Sequence, residues 1–248
     1  MDYRYELVCT TSFPTPGVAR YRLRSEKFGV SFLLSRDLRG KTAVDIGANW
    51  GIYSYWMHGH VGVEGHVIAF EPQPELAAHL RDLRDCFHLH RLELAERGLS
   101  SKDGELTLRR PKTHWGGASF EALGRDRGDL DLITANVTTL DGYFENHSAR
   151  PISFIKCDVE GHEYHVFRGG HRVLMEDRPD LVFECHAAEN PQCKVFSYLM
   201  SLDYEGYCFF HGGFAPVTDY GSLRPRMHKK ALRDFVFVPK ESKLALNA

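Results

Sequence analysis

The feature that most constrains the fold is an alternation between short apolar runs and helical patterns, which begins at Lys41. The apolar runs predict strands over Thr42–Ile46, His66–Phe70, Leu89–Leu94, Ile152–Cys157 and Leu181–Cys185. Between the second and third runs, apolar residues from Leu76 to Phe87 recur at steps of four, three and four, which is the spacing of one helix face. Strands separated by helices form right-handed βαβ units, so an α/β protein with a mainly parallel sheet is predicted.

The remaining patterns complete one domain. Helices are predicted from about Gly51, over His162–Met175 and over Val195–Leu202, and further strands over Glu105–Leu108 and Leu132–Thr139. Tyr207–Phe210 and Phe235–Val238 are expected to form a closing pair of strands, with a loop over 211–231 between them. We expect residues 1–40 to be an N-terminal extension that packs on the core, residues 41–240 to be the main domain, and residues 241–248 to be a tail.

The composition excludes several classes of protein. The 248 residues are 43% hydrophobic and 12% aromatic, which is typical of a globular domain. Lys and Arg number 31 against 33 Asp and Glu, so the basic face that nucleic-acid binding requires is not expected. No apolar stretch is long enough for a membrane span, the N-terminus lacks the layout of a signal peptide, and six scattered cysteines suit a reducing compartment. We therefore expect a cytoplasmic protein with neither a nucleic-acid nor a membrane partner. Whether it forms a homo-oligomer is left open.

The sharpest local motif covers Val44–Gly51 (V-D-I-G-A-N-W-G), where a strand runs into a glycine-containing turn and then into a helix. Gly47 allows the backbone to approach a ligand closely, and Gly51 allows tight packing at the helix start. Amide groups at such a helix start can receive a carboxylate or a phosphate. Because ligands of open parallel sheets bind at the carboxyl ends of the strands, this turn is predicted to bind a cofactor.

Glu71 ends the second strand, 26 residues after Asp45. An acidic residue at that position suits hydrogen bonds from ribose hydroxyls and disfavours a 2′-phosphate. The turn lacks the G-x-G-x-x-G pattern that cradles a pyrophosphate, which argues against an NAD-dependent oxidoreductase. Adenosine with an intact ribose and an amino-acid tail fits both features, so the predicted cofactor is S-adenosylmethionine. The plainer alternative is that Asp45 caps a turn and Glu71 is a solvated loop residue.

Six segments resemble the FkbM-type family of S-adenosylmethionine-dependent methyltransferases, in family order over about residues 40 to 190. They are Val44–Ser54, Ala69–Glu75, Arg97–Ser100, Asp103–Glu105, Thr139–Asp141 and Ile155–Glu163. The D-x-E-G-x-E pattern of Asp158–Glu163 is the most specific of these motifs. Cys157 departs from the family pattern, in which an aliphatic or acidic residue is more usual at that position.

The resemblance implies a class I methyltransferase fold, a Rossmann-like three-layer sandwich whose mainly parallel seven-stranded sheet has one antiparallel closing strand. It also implies S-adenosylmethionine as the methyl donor and a hydroxyl group as the acceptor, often on a sugar, a glycan or a natural product. Taken with the strand-end argument, it makes the following residues candidates for cofactor binding: Asp45, Gly47, Asn49, Gly51, Ser54, Glu71, Leu99, Ser119 and Asp158.

A second pair of strand ends carries candidate reactive residues. Asp158 follows the strand Ile152–Cys157, and Glu184 and His186 lie at the end of Leu181–Cys185. As a general base, Asp158 or His186 would remove the proton of an acceptor hydroxyl. As metal ligands, Asp158, Glu184 and His186 would hold an oxygen-preferring ion such as Mg²⁺, which would lower the pKa of that hydroxyl. The sequence leaves both roles open.

Residues beyond these strand ends are candidates for acceptor binding. His162 follows a tight turn at Gly161 and is a further candidate base. The loops Pro111–Arg127 and His211–Lys230 are expected to form a lid and a substrate wall, with Trp115 stacked on a sugar face. The basic residues of the second loop would meet a phosphate or carboxylate, or would simply be a solvated charge cluster.

The predicted function is methyl transfer from S-adenosylmethionine to a hydroxyl of a small polar acceptor. One alternative is a non-catalytic binding protein, which would need Gly47 and Glu71 but not Asp158. The other is an N-methyltransferase, which would more often carry Asn or Asp followed by two prolines and an aromatic residue where this chain has Asp158–Gly161.

Overall fold

A computed structural model describes residues 26–122, 129–185, 193–228 and 231–242. The strands in chain order are β1 (Thr42–Ile46), β2 (His66–Phe70), β3 (Leu92–Ala95), β4 (Gly98–Leu99), β5 (Gly104–Pro111), β6 (Leu130–Thr138), β7 (Ile152–Cys157), β8 (Asp180–Glu184), β9 (Tyr204–Phe210), β10 (Gly213–Pro216) and β11 (Asp234–Pro239). The α-helices are α1 (Lys27–Ser35), α2 (Ile52–Val61), α3 (Pro74–Cys86), α4 (Leu140–Tyr143), α5 (Glu163–Gly169), α6 (His171–Glu176), α7 (Lys194–Ser201) and α8 (Tyr220–Leu223).

The main sheet has the strand order β10-β9-β11-β8-β7-β1-β2-β3. β3, β2, β1, β7 and β8 are parallel, and β11 lies antiparallel between β8 and β9. Of these, β1, β2, β7 and β8 are buried along nearly their whole length, as expected for a sheet that is covered on both faces. The predicted α/β fold with a mainly parallel sheet and an antiparallel closing strand is therefore confirmed.

The main sheet has eight strands, one more than the seven predicted, and the additional strand is β10 at its edge. It pairs antiparallel with β9 through the two-residue turn His211-Gly212, in which both residues have positive φ angles of 49° and 82°. Such a turn favours asparagine or aspartate before the glycine, so histidine gave little signal for a hairpin. The expectation of an uninterrupted loop over 211–231 is therefore wrong for Gly213–Pro216, and α8 lies in the same segment.

A second sheet of three strands, in the order β4-β6-β5, lies outside the main one. β5 and β6 are the two strands that the sequence predicted between the third strand and Ile152. The segment that connects β5 to β6 folds back on β5, where Ser119 forms an isolated antiparallel bridge with Arg109. This excursion brings residues 112–121 towards the carboxyl edge of the main sheet.

The helix predicted over His162–Met175 is two helices, α5 and α6, which meet at Gly169 and Gly170. A Cβ atom on Gly169 would lie 2.0 Å from the carbonyl oxygen of Ser100, so the chain passes very close to the segment after β4. No helix in the described part of the chain is both long and apolar enough to cross a membrane.

Candidate active site

The turn after β1 is packed directly against the end of β7. Gly47 has a φ angle of 72°, and a Cβ atom there would lie 2.0 Å from the carbonyl oxygen of Asp158. Asn49, two residues further along the turn, also has a left-handed backbone, with φ 54°. Gly51 lies against Leu80 and Leu83 of α3. The glycines of the motif thus hold the turn between β7 and α3, and they leave Ala48, Asn49 and Trp50 at a cavity surface.

Behind this turn lies a buried charged group formed by Asp45, Ser54 and Lys156. Ser54 Oγ donates a hydrogen bond to Asp45 Oδ2 at 2.6 Å, and Lys156 Nζ lies 3.6 Å from Asp45 Oδ1. The same ammonium group donates to the carbonyl oxygen of Gly47 at 3.0 Å and lies 3.7 Å from Asp158 Oδ2. Burial lowers the pKa of Lys156, but the nearby carboxylates, above all Asp158 and Asp45, more than offset this and hold it above its usual value. Lys156 is therefore charged and links Asp45 to Asp158.

Glu71 lies at the end of β2 and is almost completely buried. The backbone N–H groups of Asn49 and Gln73 donate to its two carboxylate oxygens at 2.8 and 2.9 Å. Burial nevertheless raises the pKa of Glu71 to about 7. Its carboxylate is thus bonded to the turn after β1 through Asn49, and its predicted role in cofactor binding stays a prediction.

Two adjoining cavities run along this edge of the sheet. The larger has a volume of about 670 Å³, which is within the range of small-molecule sites, and the smaller has about 40 Å³. Both are lined by Asn49, Gly116, Asp158 and Glu160, so they form one groove. Glu71 lines the small cavity, and Trp50, Tyr53, Trp115 and Lys156 line the large one. The groove therefore has a carboxylate at one end and a mixture of aromatic and charged groups at the other.

Three carboxylates meet in the groove, and they include two of the three predicted magnesium ligands. One oxygen each of Asp158, Glu160 and Glu184 lies within 4.8 Å of the other two. The third predicted ligand, His186, which was also a candidate base, lies outside the described residues. Oxygen donors suit a hard cation, but Asp158 lies near Lys156, and Glu184 lies 3.8 Å from Arg233 Nη1. The magnesium site therefore stays a prediction.

Six predicted site residues are buried and line neither cavity: Asp45, Gly51, Ser54, Leu99, Ser119 and His162. Ser119 Oγ donates to the carbonyl oxygen of Glu160 at 2.8 Å and so supports the groove from behind. The two ring nitrogens of His162 lie 2.9 Å from Ser100 Oγ and 2.7 Å from Glu121 Oε1. Burial lowers the pKa of His162, although Glu121 opposes this. This geometry favours a structural role for His162 over contact with an acceptor.

Some groove residues had no role assigned from the sequence. Lys156 is the main example, and its signal was a lysine inside the apolar strand I-S-F-I-K-C. Glu26 and Tyr53 also line the large cavity. Of the two expected loops, the first contributes Lys112–Gly116 to the large cavity, whereas the described basic residues of the second, Arg224, Arg226 and His228, line neither cavity. Lys229 and Lys230 lie outside the described residues.

Comparisons with known structures agree with the fold. The FkbM methyltransferase of Methylobacillus flagellatus KT superposes with a TM-score of 0.52 at 18% identity, over 79% of this chain and 43% of that one. The chain therefore spans less than half of that relative. A proposed rRNA methylase from Clostridium thermocellum superposes with a TM-score of 0.52 at 9% identity, over 87% and 94% of the two chains. At these identities, the likeness shows the fold alone.

Comparison with family models identifies the family of the chain. No curated protein sequence matches the chain at a significant level. The model of the methyltransferase FkbM domain matches residues 45–211, about two thirds of the chain, from the first strand to the turn after β9. This range contains Asp45, Glu71, Asp158 and Glu184, the strand-end acids described above. The chain therefore belongs to the FkbM methyltransferase domain family.

Proposed function

We propose that the protein transfers a methyl group from S-adenosylmethionine to a hydroxyl group of a small polar acceptor, such as a sugar, a glycan or a natural product. The observation that supports this most strongly is that Glu71 and Asp158, from the ends of two parallel strands, line one groove in an FkbM methyltransferase domain. Sheet edges of this kind bind their ligands at the carboxyl ends of the strands.

The residues of the groove fit S-adenosylmethionine by their chemistry. Glu71 offers carboxylate oxygens to the ribose hydroxyls, and Asn49 holds that carboxylate in place through its backbone amide. Glu160, which lines both cavities, would receive the ammonium group of the amino-acid tail. The glycine-rich turn between β1 and α2 supplies the close backbone surface. The large cavity leaves room for an acceptor beyond the cofactor.

Asp158 is the residue that we assign to proton removal. Bound S-adenosylmethionine would supply the methyl group. Asp158 would accept the proton of the acceptor hydroxyl on a carboxylate oxygen, and the Lys156 ammonium, 3.7 Å from Asp158 Oδ2, helps to orient that carboxylate. Trp115 and the neighbouring segment would cover the groove and exclude water. Much of the rate would come from holding the hydroxyl in line with the methyl group.

The first experiment measures binding and turnover with Asp158→Asn. Calorimetry with S-adenosylhomocysteine should show similar affinity for the wild type and the variant, since asparagine keeps the shape of the side chain. Turnover should fall by about 10²- to 10⁴-fold, the usual contribution of a positioned base. Asp85→Asn, at an exposed residue of α3 that is bonded to Arg84, is the matched control and should keep full turnover. Retained turnover in Asp158→Asn would refute the assignment, and binding of NAD instead of S-adenosylhomocysteine would refute the cofactor.

The second experiment identifies the acceptor. Transfer of a labelled methyl group is measured to a panel of sugars, nucleotide sugars and hydroxylated natural products, with amines and RNA in parallel. We expect labelled product from a hydroxylated small molecule. Transfer to an amine or to RNA would contradict the proposed acceptor class while keeping the cofactor. Binding of the cofactor without transfer to any of these would favour the non-catalytic alternative.

A further inference from the structure

A group of three metal-binding side chains lies outside the groove, behind the turn that carries Asp158. It consists of Glu121, His162 and His165, each of which places one ligand atom within 4.8 Å of the other two. His162 is buried, whereas Glu121 and His165 are about half-exposed. None of the three lines either cavity of the groove. The proposed methyl transfer therefore gives this group no role.

Two separate parts of the chain position these residues. His162 immediately precedes α5, and His165 lies three residues further, so both histidines project from the same side of its first turn. Their rings are stacked, with centroids 4.7 Å apart. Glu121 comes from the segment between β5 and β6, where its backbone N–H donates to Ser119 Oγ at 3.0 Å. Because the hydroxyl of Ser119 also donates to the carbonyl oxygen of Glu160, the backbone of Glu121 is held near the two histidines.

The distances suit a tetrahedral ion. Zinc bonds of about 2.0–2.2 Å to nitrogen and oxygen separate neighbouring ligand atoms by about 3.3 Å. Glu121 Oε1 lies 2.7 Å from His162 Nδ1 and 3.9 Å from His165 Nε2, so the two observed separations bracket that value. Shifts of about 0.6 Å would bring both separations to that value. The half-exposed ring of His165 would also turn out of its stack with His162, because an imidazole binds an ion in the plane of its ring.

The second nitrogen of His162 has the partner that a metal-bound histidine normally needs. His162 Nε2 lies 2.9 Å from Ser100 Oγ, and both groups are buried. A histidine ligand usually donates its other N–H to an oxygen atom, which sets the tautomer and the ring orientation. Without an ion, Nδ1–H would donate to Glu121 at 2.7 Å. An ion would take the place of that proton, with Nε2–H donating to Ser100 and the lone pair of Nδ1 bound to the ion.

We propose that Glu121 Oε1, His162 Nδ1 and His165 Nε2 form a site for a divalent transition-metal ion, with Zn²⁺ as the expected ion and water completing its coordination. Two imidazoles and one carboxylate favour such an ion over Mg²⁺ or Ca²⁺, which prefer oxygen ligands. The bound ion would fasten the segment 119–121 to the start of α5. It would thereby brace the turn that presents Asp158 and Glu160 to the groove, without touching the acceptor.

The test is a calorimetric titration of the metal-free full-length protein with ZnCl₂. We expect one ion to bind per chain, and His165→Gln to weaken binding by about tenfold or more, because a lost ligand costs at least as much as a lost supporting bond. His165→Gln removes one proposed ligand but keeps the hydrogen bond between His162 and Glu121. A loss of affinity in this variant therefore indicates a three-ligand metal site and not merely a hydrogen-bonded pair. His147→Gln is the matched control, since His147 also pairs with a glutamate, Glu93 at 3.3 Å, and its loss should change nothing.

A second measurement identifies the ligands. Co²⁺ in place of Zn²⁺ should give the visible absorption of a four- or five-coordinate ion with nitrogen and oxygen donors, and His165→Gln should remove it. The proposal would be overturned if the wild type and His165→Gln bound Zn²⁺ with equal affinity. It would also be overturned if the wild type bound no more Zn²⁺ than both His165→Gln and His147→Gln do. A sulfur-to-cobalt charge-transfer band would overturn it too, since such a band would locate the ion on cysteines. These outcomes do not depend on methyl transfer, so the metal site and the proposed function can fail independently.

Discussion

Gly47 shows how one residue determines the geometry of the groove. Its backbone is left-handed, with φ 72°, and its α-carbon lies so close to the end of β7 that a Cβ atom would be 2.0 Å from the carbonyl oxygen of Asp158. A side chain is therefore disfavoured twice, by backbone strain and by contact. The sequence indicated that Gly47 lies near a ligand, but its closest neighbour is the backbone of a candidate catalytic residue.

We expect Gly47→Ala to lower the free energy of unfolding by at least about 1–3 kcal/mol, the usual cost of a strained backbone conformation, with the contact adding to it. It should also weaken S-adenosylhomocysteine binding, because relief of the contact displaces the turn of Gly47 and Asn49, which lines the groove. Gly59→Ala in α2 is the matched control, since nothing lies within 4 Å of a Cβ atom at Gly59. That variant should be stabilised by about 0.5–1 kcal/mol. Urea denaturation compares the two, and equal effects would contradict this account of Gly47.

Glu71 should make cofactor affinity depend on pH. Burial raises its pKa to about 7, so in the ligand-free protein the neutral form predominates below pH 7. Ribose hydroxyls that donate to the carboxylate favour the ionised form, so affinity should rise with pH and level off above about pH 7. For a pKa near 7, S-adenosylhomocysteine should bind about tenfold more weakly at pH 6 than at pH 8.

Calorimetry across this pH range checks the dependence on Glu71. Glu71→Gln should bind more weakly, and its affinity should be almost independent of pH, because the amide does not titrate. A slope in the variant equal to that of the wild type would show that another group carries the proton linkage. Agreement at pH 8 between the two proteins would show that Glu71 does not contact the ribose.

At the scale of elements, helix α1 holds the segment before β1 against the sheet. Phe32 is buried, with ring centroids 6.0 Å from Phe154 of β7 and 5.7 Å from Phe214 of β10. The same helix passes so close to α2 that a Cβ atom on Gly29 would lie 2.1 Å from the hydroxyl of Tyr53, a groove residue. Helix α1 thus joins the hairpin strand β10 to the wall of the groove.

We expect Phe32→Ala to reduce the free energy of unfolding by about 3–5 kcal/mol, because it leaves a cavity between α1 and two strands. Leu34→Ala in the same helix is the control, since Leu34 is 42% exposed and its loss should change stability by less than about 0.5 kcal/mol. Chemical denaturation measures both variants. A small effect of Phe32→Ala would mean that α1 is not an integral part of the fold.

Most element boundaries follow from local patterns, and the exceptions have physical causes. β1, β2 and β7 coincide with the predicted runs because buried parallel strands are mostly apolar. The division between α5 and α6 was missed because a glycine pair is tolerated in a helical pattern, and the close approach of Ser100 became visible only in three dimensions. β10 was missed because its turn has histidine where a hairpin usually has asparagine or aspartate.

At the scale of the whole molecule, the groove joins elements from most of the described chain. Residues from the start of α1, the turn after β1, the ends of β7 and β8, and the segment after β5 line the large cavity. A ligand bound there should therefore stabilise the domain as a unit. S-adenosylhomocysteine at about 100 times its dissociation constant should add about 2.7 kcal/mol, which corresponds to a rise in Tm of about 5–10 °C for a domain of this size.

Thermal denaturation with and without the ligand tests this expectation. Asp158→Asn should keep the rise in Tm, because we assign Asp158 to proton removal, whereas Glu71→Gln should reduce it, because we assign Glu71 to the ribose of the cofactor. We expect a single transition that moves as a whole. Two transitions, of which only one responds to the ligand, would contradict the view that the groove elements unfold together.

The sequence by itself determined most of the order of strands and helices, apart from β10 and the division between α5 and α6, together with the family and the strand ends that carry Glu71, Asp158 and Glu184. Hydrophobic periodicity and turn chemistry are local properties, so they can be read without knowledge of distant contacts. Only the tertiary structure decided which of these side chains face the groove. Asp45 points to Ser54 and Lys156, and His162 points to Ser100 and Glu121, because partners far apart in the chain satisfy their buried polar atoms. The charge of Lys156 inside an apolar strand makes sense for the same reason, since its two carboxylate partners come from different parts of the chain.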